Sequence, residues 1–318
     1  MKNKRLIRVL IASLFAFMLY SFNLRQVKKA KLEVIEPRSI RVAKNQKKEP
    51  KIKTKKLPNK SESIDKDVAI EKGSQKQLAS KIAKNMKASS YQVAVQDLNN
   101  SSRYARLATA SEAKYASGVL RILILATIYK QEQRGKIHPR ANIKIKKADR
   151  VKGEKLLQKN MQYGIAYLRQ AMMHGNKTAA NALLRKAGRS NVNKVAKEFG
   201  TSQTEITGNF SQKVVGKTTA KDLDLILKGI YQGRVLNRQH AQIVLMAMHG
   251  SHTKLTSQIS GTIYSVGDSH FTAAIVQSNG HSYCISSWTD SQKNLAGLGK
   301  AVNTWFEHSR YGKSNNYV

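Results

Sequence analysis

Between Gly118 and Gln133 apolar side chains occupy nearly every face of a helix: Leu120, Ile122, Leu123, Ile124, Leu125 and Ile128 leave no polar stripe. A surface helix keeps one side for water, so a helix that is apolar all round must be enclosed by other elements. This segment therefore requires a domain built in layers around a central helix.

The surrounding sequence supplies those layers. The spacing of Leu78, Ile82 and Met86 predicts a helix over Lys76–Lys87. Two strands follow, Tyr91–Leu98 and Arg103–Thr109, with Asn99-Asn100-Ser101-Ser102 as the turn of a hairpin. A run of helices is expected from Val151 to about His249. Three further strands are read at Gly261–Gly267, Phe271–Gln277 and His281–Trp288, the last two joined through Asn279-Gly280, a pair suited to a tight hairpin turn. A closing amphipathic helix aligns Leu295, Leu298, Val302, Trp305 and Phe306. The order predicts an α+β fold over residues 71–318: a five-stranded antiparallel sheet flanked by helices, with a separate all-helical lobe.

The chain has 57 lysines and arginines against 19 acidic residues, a net charge of +38. Such an excess points to anionic partners. Lys2, Lys4, Arg5 and Arg8 precede an apolar run from Val9 to Leu24 with no small-residue cleavage site after it. Residues 1–24 are therefore expected to form an uncleaved signal anchor, a membrane-spanning segment with the rest of the chain outside. Residues 25–70, rich in lysine and punctuated by Pro37, Pro50 and Pro58, read as a basic, disordered linker with too little apolar surface to order it. The lone cysteine, Cys284, excludes an internal disulfide. No histidine or cysteine spacing suits a metal, and no cofactor is implied. Nucleic-acid binding is disfavoured, because basic residues interleaved with aromatics for base stacking are absent.

Four stretches carry a resemblance: Tyr91-Gln92-Val93-Ala94-Val95-Gln96-Asp97-Leu98, the apolar helix after Tyr115-Ala116, Asn176-Lys177-Thr178-Ala179-Ala180-Asn181-Ala182-Leu183-Leu184, and Thr218-Thr219-Ala220-Lys221-Asp222-Leu223. In this order they resemble the class A β-lactamase and penicillin-binding-protein superfamily over residues 75–310. The resemblance implies a serine nucleophile at the start of the buried helix and a lysine one turn later. Those positions hold Gly118 and Arg121. Glycine has no nucleophilic atom, and a guanidinium stays protonated and cannot serve as a base. Ser117, one residue early, is the one candidate for a substitute nucleophile; its alternative role is to cap the helix.

The family's S-D-N motif falls on His174-Gly175-Asn176, so His174 replaces the shuttle serine while Asn176 is kept. Its K-T-G motif falls on Ser265-Val266-Gly267, where Gly267 is kept and the cation is lost. Glu205 and Asn209 have the spacing of the family's deacylating E-x-x-x-N. The expectation is a membrane-anchored, extracytoplasmic β-lactamase-like domain that binds and does not acylate. Its partners would be anionic cell-wall polymers or acidic lipid head groups. The alternative is an active serine hydrolase working through Ser117.

Overall fold

The computed structural model describes residues 68–86, 90–251 and 253–308. The expected anchor at 1–24 and nearly all of the expected linker lie outside the described residues. Among the described residues no helix is long and apolar enough to cross a membrane.

The described residues begin with β1 (Ala69–Ile70) and α1 (Lys76–Asn85), followed by β2 (Tyr91–Asp97), β3 (Tyr104–Ala108) and β4 (Lys114–Ala116). A single 3-10 turn at Gly118–Leu120 leads into α2 (Arg121–Gln133), the helix that the apolar run predicted. Next come β5 (Asn142–Lys144), β6 (Gln162–Gly164), α3 (Ile165–Met173), α4 (Lys177–Ala187) and α5 (Arg189–Glu198). The elements β7 (Glu205–Ile206), β8 (Gly216–Thr218), α6 (Ala220–Tyr231) and α7 (Arg238–Met248) complete the helical lobe. The chain then runs through β9 (Thr262–Gly267), β10 (Phe271–Ser278), β11 (His281–Thr289) and α8 (Leu295–His308).

The main sheet has six strands in the order β1-β3-β2-β11-β10-β9, with every neighbouring pair antiparallel. The sequence reading gave five. The sixth is β1, whose two residues pair with Ala108 and Leu107 at the end of the stretch assigned to the linker. Ile70 packs against the core there, and that contact with an existing sheet edge orders a segment whose local composition favours disorder. The reading of 151–249 as helices throughout is likewise corrected. Residues 151–161 are irregular, β5 and β6 form a two-stranded sheet, and β4, β8 and β7 form a three-stranded one.

Both faces of the main sheet are covered, which is why every residue of β2 is buried. Along β10, Ala273 and Ile275 face one core and Ala274 and Val276 the other, as the two-residue strand period requires. The first core surrounds α2, whose residues from Ile122 to Lys130 are all buried. The second lies under α1 and α8, where Leu78, Ile82, Leu298, Val302 and Phe306 meet the other face. The β10–β11 turn forms as read, with Asn279 (φ 49°) and Gly280 (φ 77°) both left-handed, the conformation a two-residue hairpin turn of matching twist needs. The fold thus fixes the start of α2 against the end of β9, at the junction of sheet and helical lobe.

Candidate functional site

The start of α2 is reached from β4 through Ser117, whose backbone is neither extended nor helical (φ −137°, ψ −83°) and which breaks the strand and opens the 3-10 turn. Its side chain makes no capping hydrogen bond, so the capping role read from the sequence is not the one it has. The Ser117 amide instead points at Asp268 Oδ2, 3.4 Å away. Gly118 is buried beside it. A β-carbon built there would lie 3.0 Å from both Asp268 Cβ and the Gly267 carbonyl oxygen. The space that a nucleophilic side chain would claim is bordered on that side by a carboxylate-bearing residue.

Asp268 is held by the β9–β10 hairpin that it closes. Its Oδ1 accepts the amides of His270 (3.0 Å) and Phe271 (2.9 Å), while its own amide donates to the Phe271 carbonyl (2.7 Å). That last bond occupies the backbone donor of the residue that borders Gly118. Acyl transfer needs free donors aimed at a developing oxyanion, and a carboxylate beside them opposes the same charge.

Arg121, the first residue of α2, reaches toward the helical lobe. Its Nη2 donates to the Gly175 carbonyl at 3.4 Å, and its guanidinium carbon stands 5.6 Å from the centre of the Phe210 ring. Burial lowers its pKa, and the charges of Asp268 and Glu154 oppose that shift. Its Nε is buried without a hydrogen-bond partner. The Glu154 carboxylate accepts the amides of Lys177 (2.6 Å) and Thr178 (2.7 Å) and so supplies negative charge at the N-terminus of α4. Arg121 therefore carries its charge in the field of two carboxylates, each fixed by backbone amides.

The His174-Gly175-Asn176 stretch forms the corner between α3 and α4. His174 is exposed at the end of α3, with Nδ1 2.8 Å from the Gln170 carbonyl. Asn176 caps α4 by accepting the Ala179 amide at 2.7 Å. Gly175, left-handed at φ 100°, turns the chain and presents the carbonyl that Arg121 meets. His174 Nδ1 and Asn176 Oδ1 are both used in building the corner.

On β9, Ser265 is fully buried, and its hydroxyl donates to the Ser251 carbonyl. Gly267 has a structural reason to lack a side chain, since a β-carbon there would meet the Phe271 carbonyl at 2.8 Å and Thr272 Cγ2 at 2.9 Å. Glu205 lies exposed on β7, in register with Lys217. The neighbouring Asn209 accepts the Ser211 amide within its own turn.

The structure thus brings Ser117, Gly118, Arg121 and Gly267 together at one junction, and joins the 174–176 corner to it through Gly175. The Ser265 hydroxyl is committed to Ser251, and the acids facing Arg121 are Asp268 and Glu154. Sequence reasoning missed Asp268, Glu154 and Phe210. The signal available for Asp268 was its place directly after Ser265-Val266-Gly267; Glu154 and Phe210 carried none.

The sequence model of the beta-lactamase enzyme family matches residues 75–305. Among solved structures, PBP-A superposes with a TM-score of 0.67 at 17% identity, covering 74% of this chain and 97% of that one. The TLA-3 extended-spectrum beta-lactamase gives 0.62 at 17% identity, covering 73% and 99%. A beta-lactamase from Francisella tularensis gives 0.61 at 14% identity, covering 72% and 98%. At these identities the structural likeness establishes the fold. Among curated protein sequences none matches the chain. The family match spans most of the chain and nearly all of the layered domain: the chain belongs to the beta-lactamase enzyme family.

Proposed function

We propose that this domain is a non-acylating member of its family that works by binding at the cell envelope, held to the membrane through residues 1–24. The observation that carries the reading is the junction of Gly118 with Asp268. The nucleophile position has no side chain, and a carboxylate stands against it. Arg121 reinforces the point, because it fills the next turn with a cation that cannot accept a proton. A cleft of this composition offers a guanidinium and fixed dipoles for recognising polar groups, and offers no route to a covalent intermediate through position 118.

The second reading, a hydrolase using Ser117, gains one point from the structure: its hydroxyl is free of the capping bond. Against it, the residue one turn after Ser117 is Leu120, fully buried and without a proton-accepting atom. The sequence-adjacent Lys114 pairs with Glu112 and stands 4.8 Å from the centre of the Trp288 ring. Labelling the full chain with a fluorescent penicillin separates the two readings. Binding without acylation leaves no label after denaturation. A denaturation-resistant label that disappears in Ser117→Ala would establish the hydrolase.

A further inference from the structure

The arm from Asn142 to Met161 carries a surface that the cleft does not use. Lys144, Lys146, Lys147, Lys152, Lys155 and Lys159 are all exposed on it, and among the described residues none of the six forms an ion pair. The arm's own two acids are turned inward. Asp149 is buried and paired with Arg185, and Glu154 is bound to the amides of α4. The cationic field of the arm is therefore not offset by its own carboxylates.

Charge is only half of the pattern. Of the five large apolar side chains exposed in the described residues, Leu156 (54%) and Met161 (53%) lie on this arm and Tyr167 (43%) lies beside it. The Tyr167 ring stacks on Tyr163 of β6 with centroids 5.6 Å apart, and the Tyr163 hydroxyl accepts the Gln158 amide at 3.0 Å. The surface is also firmly built. Ile143, Ile145 and Leu157 are buried beneath it, β5 pairs with β6, and α4 holds it from below. Arg185 donates to the Lys144 carbonyl (2.8 Å) and Asn181 to the Asp149 carbonyl (3.1 Å).

We propose that this arm docks the domain onto a bilayer rich in anionic lipid, with the lysines at the headgroup phosphates and Leu156 and Met161 in the interface. A soluble polyanion would satisfy the lysines but would leave the exposed apolar side chains in water, whereas a bilayer surface takes both. The proposal deepens the envelope-binding reading by naming a partner. It rests on the arm and not on the cleft, so the two stand or fall by different experiments.

The test uses the full chain with Met161→Cys labelled by an environment-sensitive nitrobenzoxadiazole dye. Cys284, the one native cysteine, is buried and does not compete for label. The protein is reconstituted into vesicles of phosphatidylcholine alone and of equal parts phosphatidylcholine and phosphatidylglycerol, so that attachment through the N-terminal residues is common to both. The dye emission shifts to the blue only in the anionic vesicles and returns on adding salt. Replacing Lys152, Lys155 and Lys159 by glutamine weakens the salt-sensitive docking by about 100-fold, at roughly fivefold for each lysine. Dye at Lys300→Cys, on α8 across the sheet, stays in water. Salt reversal in the protein with its lysines intact provides a readout that does not depend on the triple variant folding. Identical spectra in the two vesicle types, or equal shifts at positions 161 and 300, would overturn the proposal. So would lysine-dependent binding of soluble polyphosphate with a water-like emission at position 161 in the anionic vesicles.

Discussion

Asp268 stands against Gly118 so closely that a β-carbon on the glycine would lie 3.0 Å from the aspartate's own. The two residues are 150 positions apart in sequence, and the fold joins them because β9 ends where α2 begins. An acidic side chain at this point changes the chemistry available to the cleft, because it presents negative charge where acyl transfer would develop more.

Restoring the nucleophile does not by itself restore acyl transfer. In Gly118→Ser the new side chain crowds Asp268 and the Gly267 carbonyl, and overpacking of this kind costs about 1–3 kcal/mol. The Gly118→Ser, Arg121→Lys double variant still lacks the shuttle serine at His174 and the cation at Ser265, and groups that act as a unit do not recover singly. Its thermal midpoint falls and nitrocefin stays uncleaved. Measurable nitrocefin turnover by the double variant contradicts this.

Arg121 contributes little net stability. Its bond to Gly175 is long, its Nε lacks a partner, and burial lowers its pKa against the pull of Asp268 and Glu154. Replacing a desolvated charge by an apolar side chain of similar length is often neutral. Chemical denaturation of Arg121→Met should give a stability within about 1 kcal/mol of the parent. A loss of about 3 kcal/mol or more would mark Arg121 as a structural ion-pair partner.

Glu71 makes the domain sensitive to acid. Burial raises its pKa, but the hydrogen bond to Lys221 and the charge and hydrogen bond of Arg106, both at 2.8 Å, outweigh burial and leave it lowered. A carboxylate with a lowered folded pKa contributes stability above its unfolded pKa and loses it as the pH falls through the folded value. Glu71→Gln is therefore less stable than the parent at neutral pH, by roughly 1–2 kcal/mol after solvent screening. The difference closes as the pH drops below the ordinary glutamate range. A gap that persists unchanged into strong acid would exclude this ionic role.

Much of the scaffold was legible in the chain because it is periodic. The all-apolar run at 118–133, the Asn279-Gly280 turn and the spacing of Leu298, Val302 and Phe306 each state a local geometry that tertiary packing then reinforces. Ala69–Ile70 was not legible, because two residues carry no period and their pairing depends on Leu107 and Ala108 being in place. That position 118 is a glycine, without a nucleophilic atom, could be read directly from the chain. The carboxylate facing it could not, since nothing local to Asp268 says that β9 delivers it to the start of α2. Ser117 shows the opposite failure: serine before a helix suggests a cap, but a 3-10 turn follows and the side chain makes no such bond.

The central claim is that this cleft does not form an acyl-enzyme, and intact-mass spectrometry of the full chain incubated with penicillin G tests it most directly. The account predicts a single species at the unmodified mass at all times, with the same spectrum for Ser117→Ala. A species heavier by one penicillin that builds up with time, and that Ser117→Ala abolishes, would contradict it.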